Sequence, residues 1–199
     1  MQFLKSIKLA VVAFALCTPA AGAWAQWQLD NEHSSINFIS IKNDAVAETH
    51  SFTALAGTID QGGVVQVGID LNSVETLIDI RNERMREMLF ETGKYPAGTI
   101  TAQLDAAHLA AARSGGSVSA EVPVKVSLHG QEKVLSAAII AIADDSGQLR
   151  VFSARPIVVN AADFGLQEGV AALQKIAGLD AISSAVPVTL HLLFKPVAP

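Results

Sequence analysis

Apolar side chains recur at every second position through most of this chain, the period of half-buried β-strands. The pattern is strongest over Val118 to Leu128, where Val118, Ala120, Val122, Val124, Val126 and Leu128 share one face and Ser119, Glu121, Lys125 and Ser127 the other. His129-Gly130 predicts a tight turn, and Val134 to Ile142 predicts the returning strand of a hairpin, apolar on both faces. Asp144-Asp145-Ser146-Gly147 predicts a second turn, followed by a strand over Leu149 to Asn160. Earlier strands are predicted over Ser35 to Ile41, Val46 to Ile59 and Val64 to Leu71. A last one, Ala185 to Phe194, turns Val186, Val188, Leu190, Leu192 and Phe194 inward.

Two stretches leave this rhythm. Asp79 to Glu91 is rich in strong helix formers, with Ile80, Met88 and Leu89 as inward residues and Gly93 as a stop. Leu166 to Ile176 carries Leu166, Val170, Leu173 and Ile176 near helical spacing, with Gly178 beyond its end. Seven or eight antiparallel strands with two short helices make an all-β barrel or sandwich, and the absence of βαβ alternation argues against a parallel sheet.

The first 25 residues read differently. Lys5 and Lys8 precede an apolar run, Leu9 to Leu16, and Ala23-Trp24-Ala25 offers small residues for cleavage. This predicts a secretory signal peptide over residues 1–25, cut after Ala25, because the run is far below the roughly 20 residues that span a bilayer. The remaining 26–199 are expected to form one domain. Cys17, the single cysteine, leaves with the peptide, so the mature chain suits an oxidising compartment and relies on an ordinary core. Two of the 14 Lys and Arg leave as well, so 12 basic residues face 19 acidic ones, a formal charge of −7. Nucleic acid is excluded as a partner on that balance, since binding it rests on neutralising phosphates. Mean hydropathy is +0.37, which fits a large two-sided core or an internal apolar cavity.

Motifs that carry chemistry are absent: there is no Gly-rich phosphate loop, no His-Glu-x-x-His and no Gly-x-Ser-x-Gly. His33, His50, His108, His129 and His191 are scattered, and no metal or catalytic residue is assigned. Asp30, His33 and Ser34 read as a capped turn before a strand, because near neighbours on an extended chain point to different faces. Arg81, Arg84 and Arg86 lie among Asp79, Glu83, Glu87 and Glu91, as on a solvated helix face. Arg81, early in the helix, is the one placed to turn inward toward an anionic head group, which a planar guanidinium meets well.

Several strings taken in order resemble the YceI-like family. They are Trp27-Gln28-Leu29-Asp30 with His33-Ser34 and Phe38, His50-Ser51-Phe52 leading to Gly57-Thr58-Ile59, Asp70-Leu71-Asn72-Ser73-Val74-Glu75-Thr76, Arg81-Asn82 and Tyr95-Pro96. The resemblance implies an extended, lipocalin-like antiparallel β-barrel with one or two short helices, secreted to the periplasm, that holds a polyisoprenoid-type lipid such as a polyprenyl or quinone tail. It implies no other cofactor. Two departures stand out: Arg84-Met85 replaces the His-Leu pair common in the family, and Arg155 to Gly165 with Ala177-Gly178-Leu179 looks like a subgroup variant.

On this reading Phe38, Phe52, Phe90, Ile140, Leu190 and Leu192 are expected in the wall of the lipid site, with Arg81 and His33 at its mouth. The expected activity is non-enzymatic binding or transport, with transient membrane contact to collect the lipid and exposed strand edges open to homodimer pairing. The competing readings are an interaction module with a filled barrel, and a cavity enzyme with His33 as general base. The enzyme requires a His beside an ionisable partner inside the cavity. The carrier requires an open cavity without a convergent polar cluster.

Overall fold

The computed structural model describes residues 25–197 apart from Asp44 and Gly115, so the leader lies outside the described residues except for Ala25. The alternating segments form twelve strands. These are β1 (Ala25–Leu29), β2 (Ser35–Lys42), β3 (Val46–Phe52), β4 (Leu55–Asp60), β5 (Val64–Asp70) and β6 (Val74–Glu75), then β7 (Ala97–Gln103), β8 (Ser117–Leu128), β9 (Gln131–Ala143), β10 (Leu149–Ser153), β11 (Ile157–Asn160) and β12 (Ala185–Pro196). Eight of them close an antiparallel barrel in the order β1-β4-β5-β7-β8-β9-β10-β12, with β12 returning to β1.

The length of β12 organises the sheet. One of its edges carries β1 and then β2, separated by a 3-10 turn at Asn31–His33, and the other carries β10 and then β11. The hairpin of β2 and β3, with β6 on its far side, extends the barrel beyond its closed ring.

Two strands read as continuous are broken. The stretch Val46 to Ile59 divides at Thr53-Ala54, where side chains replace the ladder: Asn31 Nδ2 donates to Thr53 O at 3.0 Å, Leu55 N–H donates to Asn31 Oδ1 at 2.6 Å, and Ala54 N–H donates to Ser73 Oγ at 3.0 Å. The stretch Leu149 to Asn160 divides at Ala154–Pro156, where proline has no N–H to continue the pairing. The β8–β9 hairpin forms as predicted, turning through His129 at φ 51° and Gly130 at φ 74°, the positive pair that a two-residue turn between twisted strands requires.

The expected helix over Asp79 to Glu91 is a short α1 (Asp79–Arg84) that widens into a π-helical turn over Met85–Leu89. Its inward face shifts accordingly: Met85, Leu89 and Phe90 are buried and Ile80 is exposed. Buried Asn82 anchors it, accepting at Oδ1 from Thr76 N–H (2.8 Å) and Thr76 Oγ1 (2.6 Å). A second helix, α2 (Ala106–Arg113), is capped by Asp105, whose carboxylate accepts from His108 N–H. The third, α3 (Gln167–Ala177), ends as expected at left-handed Gly178. Gly169 lets α3 press onto the π turn, since a Cβ there would stand 2.6 Å from Met88 O.

The buried residues fall into groups along the lumen. One, with Trp27, Ile36, Leu109, Leu192 and Phe194, lies toward α2. Another, with Phe38, Leu71, Met85, Leu89, Phe90, Phe164 and Leu166, lies under the π turn and α3. Among the described residues no helix is long and apolar enough to cross a membrane.

Candidate ligand cavity

Inward-facing positions of the strands enclose a cavity of about 250 Å³. That is just below the roughly 300–1,000 Å³ usual for small-molecule sites. Leu104 and His108 line it near α2, while Leu89, Phe90, Leu166 and Val170 line it at the other end. Val186, Val188, Leu190, Leu192 and Phe194 of β12 supply one continuous stripe of wall, matching the alternation in the sequence. Ala102, Ala120 and Ala141 keep the α2 half wide. His108, Thr99 and Ser127 are the polar residues among those in the lining. Such a surface holds apolar groups by burial and offers little to orient a polar molecule.

Phe38, Phe52, Phe90, Leu190 and Leu192 all line this cavity. The three phenylalanines form a chain of ring contacts, Phe38 to Phe52 at 5.3 Å and Phe52 to Phe90 at 5.7 Å. Ile140 does not line it. In β9 the inward positions are Ile139 and Ala141, so Ile140 belongs to the outer row, paired with Phe152, which stacks on His191 at 4.7 Å. A strand apolar on both faces hides which parity faces in, and only its register against β8 and β10 resolves it.

His33 sits outside the barrel, more than half exposed, on the 3-10 turn. Its Nδ1 meets Asp30 Oδ2 at 2.8 Å, and Lys195 meets the same oxygen at 2.5 Å. Lys195 first, and His33 after it, hold the Asp30 carboxyl down at about 2. Asp30, Glu32 and His33 offer ligand atoms within 4.8 Å of one another. The Asp30 carboxylate is already engaged by these two partners.

Arg81 turns inward, as expected of it, but against protein. Its guanidinium donates to Glu48 Oε2 at 2.9 Å and to Thr76 O at 2.6 Å, and its buried Nε has no partner. Lys42 meets the same Glu48 oxygen at 2.8 Å. The hydrogen bond from Lys42, ahead of the Arg81 charge, holds the Glu48 carboxyl below its ordinary value. This cluster continues the cavity wall. The cross-strand pairs run Ile36–Phe52, Phe38–His50 and Ser40–Glu48, so one inner row passes from lumen to charge. His50, buried at 3% exposure between them, shares a hydrogen bond with Ser40 Oγ at 2.8 Å and keeps Nδ1 unpartnered. Burial first, and Arg81 second, push its imidazole below the ordinary range.

Glu48, His50 and Ser40 were not singled out together by sequence reasoning. The signal existed: the short connection from Lys42 to Val46 sets these pairs opposite one another, and Ser40, Glu48 and His50 share the parity of Phe38 and Phe52. His108, also missed, meets Asp105 Oδ1 at 2.9 Å at the α2 end. That is a His beside an ionisable partner, but Asp105 is an exposed helix cap and the wall near it is apolar.

The model of the YceI-like domain matches residues 27–194. A solved polyisoprenoid-binding domain from Saccharophagus degradans, implicated in plant cell wall breakdown, is 36% identical, with a TM-score of 0.83 over 87% of this chain and 100% of its own. Burkholderia cenocepacia BcnA shares the fold at 16% identity, with a TM-score of 0.63 over 83% of this chain and 98% of its own. A Campylobacter jejuni YceI protein does so at 15% identity, with a TM-score of 0.52 over 75% of this chain and 85% of its own. No curated protein matches the chain.

Proposed function

Because the chain belongs to the YceI-like family, we propose that it is a non-enzymatic periplasmic carrier that holds the tail of an isoprenoid-type lipid, a polyprenyl or quinone chain, inside the barrel. The observation that carries this is the wall: about 250 Å³ of internal space lined almost wholly by aliphatic and phenyl groups. The similarity to the polyisoprenoid-binding domain supports the choice of tail, and Lys5, Lys8, Leu9 to Leu16 and Ala23-Trp24-Ala25 support the compartment.

A lipid arriving from a membrane has already left water, so the apolar gain on entering the barrel is near zero. Selectivity then depends on tail fit and on polar groups at one end. We assign the polar end to the row of His50, Glu48 and Arg81, where the unpartnered Arg81 Nε–H and His50 Nδ1 suit an oxygen-bearing head. Leu77, Ile78 and Ile80 stand exposed at the start of the helix whose far end, Leu89 and Phe90, caps the cavity. They supply the apolar contact for a transient encounter with a membrane.

The test is transfer of an anthraniloyl-labelled geranylgeranyl chain from phosphatidylcholine vesicles to the purified protein. Saturable transfer at one chain per protein is expected. No transfer, with the fold intact by circular dichroism, would overturn the proposal. Arg81→Ala should change the preference between alcohol and diphosphate heads while leaving tail-length preference alone.

A further inference from the structure

The barrel is not hydrogen-bonded all the way round. Pairing between β9 and β10 runs from Ala143–Leu149 to Ile139–Ser153 and ends with Ala154 N–H donating to Ala138 O at 2.8 Å. Beyond it the chain bends through Pro156, and β11 pairs with β12 alone. Among the described residues, the first half of β9 therefore has β8 on one edge and no strand on the other. A seam separates β9 from β11, and Leu135 and Ala137 on one side and Ile157 and Val159 on the other all line the cavity.

Continuing the β9–β10 register across the seam sets Val134 opposite Val158. These outward valines are 68% and 60% exposed. An apolar track thus runs from solvent, past Val134 and Val158, between Leu135 and Ile157, into the lumen. Ion pairs clasp the seam near both ends. Arg155, from the bend, reaches across β9 to Glu121 of β8, and Lys133 of β9 meets Asp163 at 3.9 Å. Exposed pairs of this kind are weak and easily parted.

Among the described residues, the other ways in are costlier. Opening a paired lane breaks main-chain hydrogen bonds. The ends are closed by α2 with its buried Leu109 and, at the other, by the π turn and α3 with buried Leu89 and the flanking Phe90 and Leu166. The first half of β8 also extends past its pairing with β7, but α2 lies against it. Parting β9 from β11 breaks no strand ladder: it parts the two exposed ion pairs and exchanges side-chain contacts for contacts with a lipid tail.

We infer that the seam between β9 and β11 is a lateral portal through which the apolar tail of a lipid enters and leaves the lumen, an inference that rests on the carrier reading above. The test joins Val134→Cys to Val158→Cys in the protein cut after Ala25, closed by a short bis-thiosulfonate cross-linker that a reductant removes. The probe is the same labelled geranylgeranyl chain, moving to and from phosphatidylcholine vesicles. With the portal clasped, equilibrium affinity should hold while entry and exit slow by about tenfold or more, as for other gating segments, and recover on reduction. In parallel, Lys133→Ala with Arg155→Ala should speed exchange at unchanged affinity, which tests the seam independently of the cross-link. Unchanged rates in both proteins at unchanged affinity would mean that the chain passes a helix-capped end, refuting the portal and leaving the carrier intact. Failure of the unmodified protein to bind the probe at all would remove both.

Discussion

Ala120→Leu separates a lipid-holding lumen from a merely well-packed barrel. Ala120 lies on β8 with its side chain toward the cavity, and leucine there adds three carbons to the interior. Each buried methylene is worth about 0.8 kcal/mol, so excluding the equivalent length of lipid costs about 2.4 kcal/mol, or about 50-fold in affinity. The same carbons fill space beside the wall, so the ligand-free protein should be as stable as the original or more so. Transfer from vesicles and thermal melting, measured on one preparation, give the two quantities. Affinity for a geranylgeranyl chain should drop, while a geranyl chain, half as long, should be less affected. Unchanged affinity for the long chain would show that the tail does not occupy the α2 half. A melting temperature lower by more than about 5 °C would show that the wall there has no room, which equally refutes the reasoning.

Three further outcomes follow from particular contacts. His50 is held neutral by burial, so its folded value lies below its unfolded one; the stability it contributes is full above a pH of about 6.5 and is lost as pH falls. Denaturation midpoints should decline from pH 7 to 5.5, and an undiminished decline in His50→Gln would assign it to another group. Gly169→Ala puts a Cβ 2.6 Å from Met88 O and 2.8 Å from Leu89 Cα, both backbone atoms; the expected loss is about 1–3 kcal/mol by urea denaturation, and a neutral result would mean α3 does not press on the π turn. Asn82→Leu leaves the Thr76 N–H and hydroxyl without their shared acceptor and should cost about 1–3 kcal/mol, read the same way.

The barrel was legible because alternation reports directly on which face is buried, and β8, β9 and β12 carry it over long runs. What misled was local chemistry acting through distant partners. Nothing near Thr53 announces that Asn31 and Ser73 will take its neighbours' hydrogen bonds and break the strand. Asp79 to Glu91 has the composition of a regular helix, yet the buried Asn82 and the packing of Met85 and Leu89 rotate its inward face away from Ile80. Ile140 shows the limit of the period-two signal, since a segment apolar on both faces gives no parity. Arg81 was expected to turn inward and did, but the partner that captures it, Glu48, follows only from the register of the β2–β3 hairpin. His33 was drawn to the mouth by its place in a motif, whereas its side chain serves the Asp30 turn outside the barrel.

Native mass spectrometry of the protein purified without organic solvent, with lipid analysis of whatever dissociates on denaturation, tests the carrier most directly. One stoichiometric adduct with a polyisoprenoid mass is expected. A clean apoprotein mass that persists after incubation with polyprenyl and quinone lipids would contradict it.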